Sequence, residues 1–374
     1  MRLQIAMTES DSFRPKWASA PHTTITETLS NLGLSEKQFA EKLGRSEEYV
    51  SDLLNGNEPI TLELAEQLEE TLGATVEFWM SRDYQYRQDL QRLESKYRNW
   101  LERLPVEDMV DFGWIQDSAR TSELFGACLN FFDVPSIESW QEAYGNLPAV
   151  ASYKTSPSYD SRKESVAVWL RQGERKANEI ECDSWDREGF KESLSEIRSL
   201  TKEKDPNQFI PKLREACAEN GVAVVVLPSP TGCHASGATY FPSSEKALLL
   251  LSFRHLSNDH FWFTFFHEAG HLVLHSGEDL FIDDDDTLSG EYELGMTQEE
   301  REANKFSEDI LIPPARREEM LNIKISHRNV VRFAVEIGIA PGIVVGQLQH
   351  NGIIGFDTLN NLKRYYGWGD IPNW

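Results

Sequence analysis

Residues 262–274 restrict the fold more than any other stretch of this chain. Trp262, Phe263, Phe265 and Phe266 precede His267-Glu268-Ala269-Gly270-His271, and Leu272, Val273 and Leu274 follow it. A helix this apolar on every side belongs in a core. Two imidazoles and a carboxylate inside it are costly to bury unless a partner uses them. On a helix, residues four apart lie about 40° from one another and one turn along the axis, so both imidazoles face one spot. That arrangement suits a zinc ion, with Glu268 reaching the fourth, water-filled position as a general base. Ser257 or Asn258 is expected to cap the helix and Gly277 to stop it.

Two histidines leave a zinc site one protein ligand short. His275 is four residues further on, but it lies about 12 Å along the axis from His267, too far to share an ion. The further histidine of the metzincin pattern is absent, because Gly277 stands at its position. The third ligand is therefore expected on a second helix that begins near Thr297. Thr297 and Glu300 have the spacing of a capping box. Ala303, Phe306 and Ile310 read as a buried stripe bordered by Glu302, and Pro313-Pro314 closes the helix. On this reading Glu302 is the ligand and Glu299 the alternative. A solvated acidic first turn, favoured by the helix dipole, suits Glu299 and Glu300 better than Glu302.

The HEAGH motif, the later Glu302-Ala303-Asn304-Lys305-Phe306-Ser307 and then Leu311-Ile312-Pro313-Pro314 resemble the ImmA/IrrE family of zinc metallopeptidases over residues 205–315. Ser307 stands where that family usually has alanine. Strand-like stretches at 222–227, 237–240 and 246–252 fit the family's small antiparallel sheet. The resemblance implies cleavage of a protein, often a repressor or regulator, rather than general digestion.

The chain is long enough for two or three domains. It has no run of about 18 apolar residues, and its first residues lack the apolar core of a signal peptide, so the cytoplasm is the expected location, with no membrane partner. Cys128, Cys182, Cys217 and Cys233 are scattered without CxxC spacing, which argues against a disulfide framework or a cysteine zinc site. The formal net charge is −24. A protein this acidic repels DNA at long range unless its charges are segregated.

That charge matters because residues 24–80 read as about five short helices. Phe39, Ala40 and Leu43 lie on one face of a helix that Gly44 ends. Ser46 caps a second helix with Val50, Leu53 and Leu54 as its core face. This is a helix-turn-helix, and it resembles the XRE class, most closely the HigA antitoxin type, in Asn55-Gly56-Asn57-Glu58-Pro59-Ile60-Thr61 and Glu77-Phe78-Trp79. Arg45, Ser46, Tyr49 and Asn55 are the candidate DNA contacts. Residues 22–80 hold three basic and twelve acidic residues (3 − 12 = −9). Few phosphates can be neutralised by such a domain, so dimerisation or a protein partner competes with DNA as its role. Arg82, Arg87, Arg92, Lys96 and Arg98 just beyond it could restore some affinity.

The expected fold class is α+β in four parts. A helix-turn-helix domain spans 22–80. A helical connector and middle segment spans 81–200, with one helix continuing to about residue 103. A zincin-like peptidase domain with a small antiparallel sheet spans 201–325. A C-terminal helical hairpin spans 326–374 and packs on the peptidase or on a second subunit. The middle segment shows no catalytic constellation and reads as a spacer or a sensor. Asp283–Asp286 reads as a solvated acidic loop rather than a calcium site. Cys233 is a candidate regulatory zinc ligand, with an inert buried thiol as the competing reading. Tyr240 and His234 are candidate oxyanion donors.

The composite expectation is a cytoplasmic zinc endopeptidase. His267, His271 and Glu302 hold the metal, Glu268 is the base, and the substrate is a repressor or antitoxin-like protein. The competing expectation is a DNA-binding antitoxin or repressor, possible as a homodimer, whose metal domain docks a partner without turnover.

Overall fold

The computed structural model describes residues 20–55, 58–145, 161–275, 280–284 and 297–372. They divide into two compact units: residues up to 101 together with 119–125, and residues 102–118 together with 126–374.

Among its described residues the first unit is helical. It comprises α1 (Pro21–Leu32), α2 (Glu36–Leu43), α3 (Glu47–Leu54), α4 (Leu62–Leu72) and α5 (Val76–Leu101). Local chemistry accounts for the boundaries. Ser35 and Gln38 form a reciprocal capping box on α2, Ser46 caps α3 and Thr61 caps α4. Gly44 turns out of α2 at φ +64°, a conformation that costs glycine little. Ile25, Phe39, Val50, Leu53, Leu64, Leu68 and Trp79 fill the core. Gly56 and Asn57, part of the HigA-like motif, lie outside the described residues.

The second unit holds α6 (Val106–Asp111), most of α7 (Thr121–Phe132), α8 (Ile137–Tyr144), α9 (Lys163–Asn178), α10 (Arg187–Ser199) and α11 (Pro206–Ala218). Strands β1 (Val222–Val226), β2 (Ala235–Ser243) and β3 (Lys246–Leu251) follow. Then come α12 (Asn258–Leu274), β4 (Phe281–Asp284), α13 (Gln298–Leu311), α14 (Pro314–Leu321), α15 (His327–Ile337) and α16 (Pro341–His350). Among the described residues no single helix is long and apolar enough to cross a membrane.

The sheet is mixed, not antiparallel throughout, with strand order β1-β3-β2-β4. β1 pairs parallel with β3, while β2 pairs antiparallel with β3 on one side and β4 on the other. β3 lies between β1 and β2, and β1 and β3 run the same way. β4 is absent from the sequence expectation, because only Leu280, Phe281 and Ile282 precede the acidic run and three consecutive apolar residues carry no strand period. Asp285 and Asp286 of that run lie outside the described residues.

One sheet face packs on α12. Val222, Val224 and Val226 of β1, with Ala247, Leu249 and Leu251 of β3, share a core with Trp262, Phe265, Phe266 and Ala269 of that helix. The alternate residues face α9, where Gly173 leaves room for the Leu250 side chain. The α12 core also takes in Phe333 and Ala334 of α15 and Val344 and Leu348 of α16, so it runs through the boundary expected at 325–326. The C-terminal hairpin is thus a wall of this unit, docked on α12.

Candidate metal centre

α12 and α13 pack directly against each other. Gly270, inside the HEAGH motif, permits this: a Cβ there would lie 3.2 Å from Ala303 Cα and 3.1 Å from Phe306 Cδ1. α10 holds both helices at their C-termini. Arg187 Nε donates to the Val273 carbonyl at 2.6 Å, and Arg198 donates to those of Ile310 (2.6 Å) and Leu311 (3.0 Å). Cations satisfy the exposed carbonyls there and complement the helix dipole.

Where the two helices cross, three side chains converge. His267 Nε2 and His271 Nε2 are 3.0 Å apart. Glu300 Oε2 lies 3.3 Å from the first and Oε1 3.6 Å from the second. All three residues are buried, and their ligand atoms fall within 4.8 Å of one another. Among the described residues this is the one such group of His, Cys, Asp and Glu side chains able to hold a metal. Asn304 Oδ1 lies 2.8 Å from His267 Nδ1, one turn after Glu300. An amide oxygen can only accept, so Nδ1 carries the proton and Nε2 presents its lone pair to the cluster. Electron-rich atoms meeting away from water repel one another, and a cation at their centre satisfies all of them together.

Glu268 is also buried on α12. Thr239 of β2 donates its hydroxyl proton to Glu268 Oε2 at 2.9 Å. Two residues earlier on the same face, Gly237 gives the carboxylate its space, since a Cβ at that position would overlap the Glu268 side chain. The edge of β2 thus sets the place of this carboxylate, and β4 lies along the same stretch, pairing Phe281 with Thr239 and Asp283 with Gly237. Phe281 stacks on the His271 ring with centroids 4.3 Å apart.

The peptidase family described as the IrrE N-terminal-like domain matches residues 220–343, which include the sheet and every member of the cluster. The helix-turn-helix family matches residues 29–79. The chain joins an IrrE-like domain to a helix-turn-helix domain. Two solved structures match part of the chain at a TM-score of 0.20 each. One is described as a candidate antidote protein of a plasmid maintenance system from Nostoc punctiforme, 26% identical over 22% of this chain and 93% of that one. The other is an addiction module antidote protein of a HigA family from Coxiella burnetii, 29% identical over 23% of this chain and 92% of that one. None of the curated proteins matches the sequence.

Within the IrrE-like domain the geometry revises the expected ligand set. Glu302 is not part of the cluster: it is exposed, accepts hydrogen bonds from Gln298 (2.7 Å) and His275 (2.9 Å), and Glu300 stands in its place. Those two bonds hold the Glu302 carboxyl below the usual carboxylate range. Glu299, the alternative, is likewise outside the cluster. The error lies in the helix phase. The buried stripe of α13 is Glu300, Ala303, Ser307 and Leu311, not Ala303, Phe306 and Ile310. Two of its four members are polar, so hydrophobic periodicity points to the wrong face. Ser307 sits inside because its hydroxyl donates to the Phe263 carbonyl at 2.9 Å. Nor does Thr297 make a side-chain cap bond. The signal that could have found Glu300 is its spacing, one turn before Asn304 and two before Ser307.

Tyr240 falls on the wrong side of the sheet for an oxyanion donor. Side chains alternate along a strand, and since Gly237 and Thr239 face Glu268, Tyr240 faces α9. There its hydroxyl donates to Glu174 Oε1 at 2.7 Å. Burial first, and the neighbouring Glu174 next, push that hydroxyl's pKa up. Cys233 is buried in the turn before β2, and neither it nor the half-buried His234 joins the metal cluster. Thr239, Gly237, Asn304 and Glu300 are the site residues that the sequence reading passed over.

In the helix-turn-helix domain the candidate DNA contacts are engaged within the domain. Arg45 Nη2 pairs with Glu63 Oε1 at 2.6 Å, and its guanidinium carbon lies 5.2 Å from the Tyr49 ring centroid. Ser46 Oγ is occupied as the α3 cap, accepting from the Tyr49 amide. Asn55 is exposed and its side-chain amide lies 3.5 Å from Ser51 Oγ. Along α5, Arg87 pairs with Asp83, Arg92 with Asp89 and Arg98 with Glu94 on the same helix, while Arg82 donates to Thr24 of α1.

Proposed function

We propose that the IrrE-like domain is a zinc endopeptidase and that its substrate is a regulatory protein of the repressor or antitoxin kind. One observation carries the reading: two imidazoles and a carboxylate from crossing helices converge, with a second carboxylate, Glu268, on the same helix as the imidazoles. Bonds of about 2.0–2.1 Å to a tetrahedral zinc place ligand atoms about 3.3–3.4 Å apart. The separations of 3.0, 3.3 and 3.6 Å in the cluster bracket that value. Two nitrogens and one carboxylate are also the donor set of catalytic zinc, which keeps its fourth position for chemistry.

Zinc supplies Lewis acidity, which makes a water nucleophilic near neutral pH and stabilises charge developing on a peptide carbonyl. His267, His271 and Glu300 would hold it. Glu268, oriented by Thr239, takes the proton of the attacking water and delivers it to the departing amine. The helix-turn-helix partner in the same chain supports a regulatory target. The −9 balance over residues 22–80 and the Arg45–Glu63 pair favour contact with a protein over DNA.

The test uses the full chain loaded with zinc and incubated with the proteins encoded beside its gene, with fragments read by mass spectrometry. The parent is expected to cut one of them at a defined bond. Glu268→Gln should keep the metal and lose about 10²–10⁴-fold in rate. Zinc-loaded parent that cuts none, together with salt-sensitive binding to its own promoter, would replace this reading with that of a DNA-binding repressor whose metal domain does not turn over.

A further inference from the structure

The two imidazoles of the cluster are held from behind by different groups. His267 is backed by the amide of Asn304. His271 is backed by a longer arm. Its Nδ1 lies 3.2 Å from His275 Nδ1, and His275 Nε2 lies 2.9 Å from Glu302 Oε2. We propose that His275 and Glu302 are positioning residues that fix the tautomer and orientation of His271 for the metal. This inference rests on the zinc reading of the cluster.

The hydrogen-bond direction follows from counting protons. A carboxylate only accepts, so His275 donates from Nε2 and, as a neutral ring, keeps a lone pair on Nδ1. His271 must then donate from Nδ1, which leaves its lone pair on Nε2, the atom that faces His267 and Glu300. Glu302 therefore decides, through two rings, which nitrogen of His271 is available. Its carboxylate is steadied by Gln298, which donates to Oε1 at 2.7 Å. The Phe281 ring lies 15° from the plane of His271 and limits its rotation.

A purely structural role does not account for Glu302, whose side chain is 45% exposed in its pair with His275. Such surface pairs contribute little to stability, whereas outer partners of a ligating histidine typically change metal affinity about 10–100-fold.

The experiment measures zinc affinity of the full-length protein by competition with a chromophoric chelator, beside thermal unfolding of the metal-free protein. Glu302→Ala and His275→Ala should weaken zinc about 10–100-fold. Glu302→Gln, which keeps an acceptor oxygen, should recover part of that loss. Lys305→Ala, on the exposed face of the same helix, should change nothing. In ¹⁵N-edited spectra of the metal-free protein, His271 should carry its proton on Nδ1 in the parent and lose that single tautomer in Glu302→Ala. Unchanged affinity and tautomer in Glu302→Ala, with the parent binding zinc, overturns the inference. So does a loss of affinity matched by destabilised metal-free protein, which marks the arm as structural. A parent that takes up no zinc overturns the metal reading itself.

Discussion

The helix-turn-helix domain and the IrrE-like domain use polar side chains in opposite ways. In the first, serine, threonine and glutamine cap helices, and charges pair across the surface, as Arg45 does with Glu63. Each of these groups has water as an alternative partner, so none is indispensable and none has to be where it is for the domain to fold. In the second, His267, Glu268, His271, Glu300, Ser307 and Thr239 are buried among aromatic and aliphatic residues. Water cannot replace their partners, so each must be met by a group from another element. The contrast teaches where function is written in this chain: in polar groups that the core tolerates only because they serve one another.

Removing a member of the buried set should have the largest effect. Glu300→Ala is expected to cost more zinc affinity than the about 10–100-fold of an outer-shell change, and to abolish cleavage with it, as measured by chelator competition. If Glu302→Ala proves the more damaging of the two, Glu302 is restored as a ligand and the assignment of α13's buried face is wrong.

Gly237→Ala sharpens the comparison from the β2 side. The added methyl overlaps the Glu268 carboxylate and must push it aside. A displacement near 1 Å can cost about 10²-fold in rate, so cleavage should fall by about that much while zinc affinity stays at the parental value. Equal losses of zinc and rate would mean that β2 supports the ligands rather than the base.

Tyr240→Phe separates the two faces of the sheet. It removes the bond to Glu174 and should cost about 0.5–1.5 kcal/mol in denaturant unfolding, with zinc uptake and cleavage untouched. Because the folded state raises the pKa of this hydroxyl, its contribution is fully present below the ordinary tyrosine value of about 10 and is lost as pH rises beyond it. The parent should therefore lose stability more steeply than Tyr240→Phe in strongly alkaline buffer.

The smallest effect belongs to the surface of the first domain. Arg45→Ala breaks an exposed pair and should change stability by no more than about 1 kcal/mol. If the same substitution strongly weakens binding to promoter DNA, with a steep salt dependence, the acidic domain is a DNA reader after all and the contrast with the buried site narrows.

Much of the first domain was legible because its signals are local. The Ser46 cap and the left-handed Gly44 each act within a few residues, and the structure contains both. The HEAGH helix was legible for the same reason, since a spacing of four settles which side chains share a face. Glu300 was not, because the burial of α13 is dictated by what α12 presents to it. A glutamate in a first turn looks solvated until two histidines are placed opposite. The position of Tyr240 depended on strand phase, and the parallel pairing of β1 with β3 depended on β3 taking the place beside β1 rather than β2.

The sequence by itself determined the two kinds of domain, the helix that carries both imidazoles and the base, and the acidity that weighs against DNA. Tertiary structure alone decided the third member of the cluster, the outer arm through His275 and Glu302, the support of Glu268 by Thr239 and Gly237, and the docking of the C-terminal hairpin on α12. The physical reason is range. Capping, helical spacing and charge balance act between near neighbours or over whole segments. The partner of a buried polar group is chosen by packing, among residues that the chain brings together from far apart.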